Sequence, residues 1–159
     1  MTSIKKVGVI SLGCDKNRVD TEKMLAIIKT EYLITPDPEQ ADLVIINTCA
    51  FLESARREAI EEILSVIELK KLKIVKKIIV TGCLPQKFIG ELFDELVEID
   101  AFMGVSDYGD ILKVIKDVSL DKRVQLVGEP RGECGVDRVR TTGSYAYLKI
   151  ADGCSNQRN

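Results

Sequence analysis

Histidine is absent from all 159 residues. That excludes every Ser-His or Cys-His catalytic dyad and every His-ligated zinc site, and removes the easiest general base near neutral pH. Any chemistry must use thiolates, carboxylates, lysines or a bound cofactor. No apolar run approaches the ~20 residues needed to span a bilayer. Met1–Lys6 lead straight into a short strand pattern with no signal-peptide cleavage site, so a cytoplasmic protein with no membrane partner is expected. An excess of basic charge is also missing. The chain has 23 Lys and Arg against 25 Asp and Glu, a net charge of −2, which is no footprint for a phosphate backbone. No segment is low in complexity and none repeats. At 45% hydrophobic and 30% charged, the composition is that of an ordinary soluble globular domain.

What is present is cysteine, five residues in all. In a reducing compartment such cysteines are metal-binding or catalytic more often than disulfide-bonded. Three of them share one context. Val7–Leu12, Leu43–Asn47 and Ile78–Thr81 are runs of β-formers, followed closely by Cys14, Cys49 and Cys83. The cysteines lie 35 and 34 residues apart, close to the length of a βαβ unit, roughly 30 or more residues. The C-x-x-C spacing of a redox dithiol is absent. So is a Gly/Ser/Thr-rich phosphate cradle after the first strand, which argues against flavin.

Between these runs the apolar spacing turns helical. Val19, Met24, Leu25, Ile27 and Ile28 form an imperfect stripe after Cys14, with Asp15 or Asn17 available as a cap. Residues 31–35 read as a short strand broken by Pro36 and Pro38, with at most a helical turn following. A long helix is predicted over about 51–72, its core face made by Ala59, Ile60, Ile63, Leu64 and Ile67. Pro85 suits a first helical turn, and Phe88, Leu92, Phe93, Leu96 and Val97 give that helix its core face. A last strand at 101–105 precedes a helix capped by Asp107, with Ile111, Leu112, Val114, Ile115 and Val118 as its stripe. This alternation predicts an α/β fold: a flavodoxin-like, doubly wound parallel sheet of about five strands in the order 2-1-3-4-5. The expected domain is 1–118. Residues 119–143 read as a linker with a short strand at Val124–Val127, and 144–159 as the start of a second domain.

In that order strands one, three and four are neighbours, ~4.8 Å apart, and their carboxyl ends form the edge where open α/β sheets bind ligands. A helix start after each cysteine favours thiolate over thiol. The bland alternative is three packing cysteines, since free Cys is among the most buried residue types. A closed structural zinc site usually wants four ligands. A [4Fe-4S] cluster held by three cysteines leaves one iron open to a sulfur, a substrate or a small ligand.

Gly13–Asp20 with Thr21-Glu22, Asn47–Phe51 and Thr81–Leu84 together resemble the N-terminal domain of the radical S-adenosylmethionine methylthiotransferases. The resemblance covers residues 4 to about 118, and Tyr147–Cys154 is similar to the entry of that family's radical domain. It implies that Cys14, Cys49 and Cys83 hold an auxiliary [4Fe-4S] cluster that supplies sulfur, and that Cys154 is the first ligand of a second, radical cluster. The segment around Asp15-Lys16-Asn17 is similar to the RimO branch, which adds a methylthio group to the β-carbon of an aspartate in a small-subunit ribosomal protein. The tRNA-adenosine branch usually has Gln-Met at Asp15-Lys16. The cofactors implied for the intact enzyme are two [4Fe-4S] clusters and S-adenosyl-L-methionine. Position 158 is Arg where that family's C-x-x-x-C-x-x-C motif requires cysteine. The expectation is therefore a fragment that holds the auxiliary cluster and does not cleave S-adenosylmethionine. A metal-free flavodoxin-like interaction module is the alternative from another class.

Lys16 and Asn17, beside Cys14, are candidates for hydrogen bonds to the cluster or a ligand on it; the competing role is a helix cap and a solvated lysine. Asn47, Thr48 and Gln86 are weaker candidates for the same rim. Cys134 matches no motif and reads as a bystander. Lys70, Lys71, Lys73, Lys76 and Lys77 read as a solvated helix end and turn rather than an RNA contact.

Overall fold

Leu43–Thr48 is buried at all six positions, as an unbroken apolar run requires of a strand covered on both faces. This strand, β3, is the middle of the fold. The structure, a computed structural model, describes residues 1–105 and 107–129. In chain order the elements are β1 (Lys6–Ser11), α1 (Asp15–Ile28), β2 (Leu33–Thr35), a 3-10 turn (Pro38–Gln40), β3, α2 (Glu53–Lys71), β4 (Lys77–Gly82), α3 (Cys83–Glu95), β5 (Ala101–Met103), a second 3-10 turn (Tyr108–Asp110), α4 (Ile111–Ser119) and β6 (Val124–Leu126). All strand pairs are parallel, and the sheet order is β2-β1-β3-β4-β5-β6. The doubly wound flavodoxin-like prediction is therefore borne out, with one strand more than expected.

The extra strand is the short Val124–Val127 run, placed in the linker from sequence alone. It pairs along β5, with Ala101 opposite Val124 and Met103 opposite Leu126. The Val124 N–H bonds to Asp100 O and the Gly104 N–H to Leu126 O, both at 2.9 Å. Asp121, at φ 62, makes the turn that brings the chain back to the edge. The sheet thus extends past residue 118. The expected strand at 144–150, Cys134 and Cys154 lie outside the described residues.

Period-two alternation sends side chains to two cores. Val44, Ile46, Ile78, Val80 and Phe102 pack against α2 and α3. Leu43, Ile45, Ile79, Ala101 and Met103 pack with α1 and α4. Phe102 is fully buried, and burying an aromatic of that size contributes about 2–3 kcal/mol. Three helix details depart from the sequence pattern. Val66 is buried on α2 in place of Leu64, which is exposed. It joins Ala59, Ile63 and Ile67 on one helical face. Val97 is exposed because α3 stops at Glu95 and Leu96 leaves helical geometry at φ −100, ψ 69. Asp107 does not cap a helix: its carboxylate accepts the Gly104 N–H at 3.2 Å, and the residue it precedes starts a 3-10 turn. Among the described residues no helix is long and apolar enough to cross a membrane.

Candidate functional site: a three-cysteine rim

Adjacent parallel strands in register bring their ends to one edge. Ser11 lies opposite Asn47, and Thr48 opposite Gly82. Cys14, Cys49 and Cys83 follow within three residues of those positions, so the carboxyl ends of β1, β3 and β4 each carry one thiol. Cys14 is exposed, Cys83 half-buried and Cys49 buried. The three are not disulfide-linked to one another.

Two glycines set how closely the loops approach. Gly13 has φ 88, in the region that L side chains rarely adopt. A Cβ there would lie 2.3 Å from Cys49 Cβ and 3.1 Å from Cys49 Sγ. The peptide leading into Cys14 is thus packed directly on the Cys49 side chain. Gly82 has φ 101, and a Cβ there would lie 2.3 Å from Thr48 O. Only glycine lets the chain turn from β4 into Cys83 against the neighbouring strand.

The helices meet the thiols unequally. Cys14 is the N-cap of α1, at φ −86 and ψ 172, and Cys83 is the first residue of α3. Both lie at a helix N-terminus, beside the first-turn N–H groups that the helix's own ladder does not use. Cys49 does not. Residues 50–52 separate it from α2, whose N-cap is Leu52. Phe51 and Leu52 in that connection are exposed.

Beneath the rim lies a buried polar network in place of apolar packing. The Asn17 side-chain amide donates to Leu12 O and to Thr48 O, each at 2.9 Å. Asn17 therefore does not cap α1, and the N-cap residue Cys14 makes no side-chain capping bond. Asn47 Nδ2 donates to Asn17 O at 2.9 Å and to Thr21 Oγ1 at 3.0 Å. Thr21 Oγ1 donates to Ser11 Oγ at 3.0 Å. Thr48 Oγ1 donates to Thr81 O at 2.7 Å, and Thr81 Oγ1 to Gly104 O at 3.4 Å. Among the described residues, no buried side-chain nitrogen or oxygen is left without a partner. Thr21 and Ser11 escaped the sequence reading. The available signal was a hydroxyl on the otherwise core-facing stripe of α1. Lys16 is half-buried. Gln86 stands further along the edge, where its Oε1 accepts the Val105 N–H at 3.1 Å and its Nε2 donates to Gly128 O at 2.9 Å.

Among the described residues, no group of three His, Cys, Asp or Glu side chains converges as a metal site. A single zinc ion needs its sulfurs ~2.3 Å from one point. The strands that carry the three thiols are neighbours in the sheet, ~4.8 Å apart. Of the five lysines around the α2–β4 connection, four are held in ion pairs with carboxylates, and Lys73 is exposed. Lys77 meets Asp100 at 3.2 Å, Lys76 meets Asp42 at 2.6 Å, Lys71 meets Glu68 at 2.8 Å, and Lys70 also reaches Asp100.

An open parallel sheet with a thiol on each of three adjacent strand ends defines a flavodoxin-like domain with a cysteine-lined rim. Residues 6–104 match the uncharacterized protein family UPF0004, and the chain belongs to that family. It is similar to the ribosomal protein uS12 methylthiotransferase RimO of Thermoanaerobacter sp. (strain X514), with 48% identity over 96% of this chain and 36% of that protein. The RimO of Caldanaerobacter subterraneus subsp. tengcongensis is 50% identical over 96% of this chain and 36% of its own length. That of Geobacter sulfurreducens is 42% identical over 96% and 35%. The chain thus spans about a third of the length of the curated relatives it matches.

Proposed function

We propose that this chain is the sulfur-supplying part of a uS12 methylthiotransferase, with Cys14, Cys49 and Cys83 as the three protein ligands of an auxiliary [4Fe-4S] cluster. The observation that carries the reading is the placement of three thiols on the carboxyl ends of β1, β3 and β4, two of them at helix N-termini. The donor set fits the group: iron–sulfur clusters are held by thiolates, and three of them leave one iron for an exogenous ligand. When bound, such a cluster supplies the sulfur that becomes the methylthio group. The chain's own residues orient the thiolates, bury Cys49, and leave Cys14 at the open edge of the site. Lys16, half-buried and two residues after Cys14, is the candidate to offer a cation to the cluster or its ligand, with Asn17 acting from beneath.

The names of the relatives support uS12, a small-subunit ribosomal protein, as the substrate. Its aspartate is the modified residue implied by the Asp15-Lys16-Asn17 segment. A tRNA adenosine is the second reading, disfavoured by the net charge of −2 and by the paired lysines. Cys154 is assigned as the first ligand of a radical cluster, and Arg158 stands where that cluster's motif places its second cysteine, so no S-adenosylmethionine cleavage is expected of these residues. The cell compartment is the cytoplasm, where the ribosomal substrate is found.

The test is anaerobic reconstitution with iron and sulfide. A broad absorption near ~400 nm and about four irons per chain are expected, with no 5′-deoxyadenosine formed from S-adenosylmethionine and reductant. A colourless, fully folded protein would overturn the cluster, and 5′-deoxyadenosine from this chain would overturn the division of labour. Complemented by a methylthiotransferase whose own auxiliary ligands are replaced by alanine, a methylthio mass gain on tRNA and none on uS12 would select the second reading.

A further inference from the structure

Asn17 and Asn47 are both 2% exposed, yet neither faces the rim as a surface group. A primary amide has two N–H donors. Those of Asn17 go to Leu12 O, two residues before Cys14, and to Thr48 O, the residue before Cys49. One side chain therefore fastens the backbones of two thiol-bearing loops to each other. Asn47 completes the arrangement. Its Nδ2 holds Asn17 O and Thr21 Oγ1, while its Oδ1 lies against Gly82, where a Cβ would come within 2.6 Å of it. The Thr48 hydroxyl then ties β3 to Thr81 O, two residues before Cys83. Every loop bearing a candidate ligand is thus held from beneath by one buried amide–hydroxyl network. The backbone ladder itself reaches to Thr48–Gly82 and to the Leu12 N–H on Asn47 O, and the side-chain network adds its links at that end of the sheet.

We infer that Asn17 and Asn47 are positioning residues that fix the separation of Cys14, Cys49 and Cys83, so that cluster assembly and cluster electronics depend on them although neither is a ligand. This rests on the proposed cluster. A rigid multi-thiolate site tolerates little displacement of its donors, and hydrogen bonding around a cluster tunes its potential. Removing the Asn17 amide takes its two donors from the Leu12 and Thr48 carbonyls and loosens the tie between the two loops, which keep the Leu12 N–H to Asn47 O bond. Serine at 17 retains one donor and can hold only one of the two carbonyls.

Asp42 provides the comparison. It sits at the opposite, amino end of β3, where its carboxylate accepts the N–H groups of Lys5 and Lys6 at 2.9 and 3.0 Å. Asp42→Ala therefore removes a similar backbone fastening far from the rim. The experiment reconstitutes wild type, Asn17→Ala, Asn17→Ser, Asn47→Ala and Asp42→Ala anaerobically. It measures circular dichroism and Tm of each apoprotein, iron per chain, and the electron paramagnetic resonance spectrum and midpoint potential of the reduced cluster. The expected result is full iron and a wild-type signal in Asp42→Ala. Asn17→Ala and Asn47→Ala are expected to lose at least half the iron at a comparable Tm. Asn17→Ser should retain iron but show a shifted spectrum and potential, and it carries the test if an alanine variant fails to fold. Full iron with an unaltered spectrum and potential in the Asn17 variants overturns the inference, as does iron loss that merely follows Tm across all variants. No iron in wild type overturns the cluster reading itself, and this inference with it.

Discussion

Replacing Gly82 with alanine tests the architecture of the rim without touching a cysteine. The Gly82 backbone is at φ 101, and adopting that region with a side chain costs roughly 1–2 kcal/mol. The added Cβ would lie 2.3 Å from Thr48 O, 2.6 Å from Asn47 Oδ1 and 2.9 Å from Thr48 N. Ordinary contacts lie at about 3.5–4.0 Å, so the Thr48 carbonyl must retreat by about 1 Å. It has little freedom to do so, since Thr48 is fully buried, pairs with Gly82 in register, and accepts the Asn17 amide. Overpacking of this kind costs about 1–3 kcal/mol. The two effects together predict a loss of about 2–5 kcal/mol. Ordinary domains are stable by about 5–15 kcal/mol, so the variant should still fold at room temperature. Urea denaturation followed by circular dichroism reads the change directly, and Tm should fall by about 10 °C. A loss below about 1 kcal/mol with an unchanged denaturant slope would refute the reasoning, because it would mean that β3 and β4 are not locked together at the rim.

Three further outcomes follow from the same geometry. Gly13→Ala, whose Cβ would meet Cys49 Cβ at 2.3 Å, should lower iron content after reconstitution more than Cys134→Ala does; equal iron in both contradicts the Cys14–Cys49 approach. Asp100 accepts the Ile78 N–H at 2.8 Å and pairs with Lys77 at 3.2 Å and with Lys70. Asp100→Ala should therefore cost about 1–3 kcal/mol in urea titration by stranding the Ile78 N–H, while Lys77 keeps Asp121 and Lys70 keeps Glu98 O, and a near-neutral result would show the Asp100 contacts to be dispensable. Hydrogen bonds from Lys77 and then from the N-terminal ammonium hold the Asp121 carboxyl at about 2, below its ordinary 3.8. The folded state thus binds this proton less tightly than the unfolded chain. The carboxylate's stabilising contribution is present above about pH 4 and fades as the pH falls toward 2. Asp121→Asn should flatten that part of the stability–pH curve, and an unchanged acid limb would contradict the pairing.

Much of this arrangement was legible in the sequence because its strongest signals are local. The unbroken apolar run at β3 and the abrupt arrival of a cysteine after each of three β-rich runs place the strands and the thiols directly. Helix α1 was harder. Its apolar stripe reads imperfectly because its buried face is partly polar: Asn17, Asp20, Thr21, Glu22 and Lys23 are all buried alongside Val19 and Met24. Asn17 and Thr21 serve the network under the rim, and Lys23 reaches the Tyr108 hydroxyl at 3.5 Å. A hydrophobic pattern cannot report a helix whose partners are amides and hydroxyls. The same limit left Asn47 only a weak candidate for the rim, although its hydrogen bonds to Asn17 O and Thr21 Oγ1 on α1 determine its role. The sixth strand was read as a short strand at Val124–Val127 but left in the linker, because so short a run carries no signal of its partner; pairing with β5 joins it to the sheet.

The most direct measurement is iron per chain after one anaerobic reconstitution of wild type, Cys14→Ala, Cys49→Ala, Cys83→Ala and Cys134→Ala. About four irons in wild type and Cys134→Ala, with a large loss in each of the other three, is the predicted result. Cys49→Ala is the sharpest arm, since this thiol is 6% exposed and has no helix N-terminus beside it. Full iron in Cys49→Ala, or no iron in a folded wild type, would contradict a cluster shared by the three strand ends.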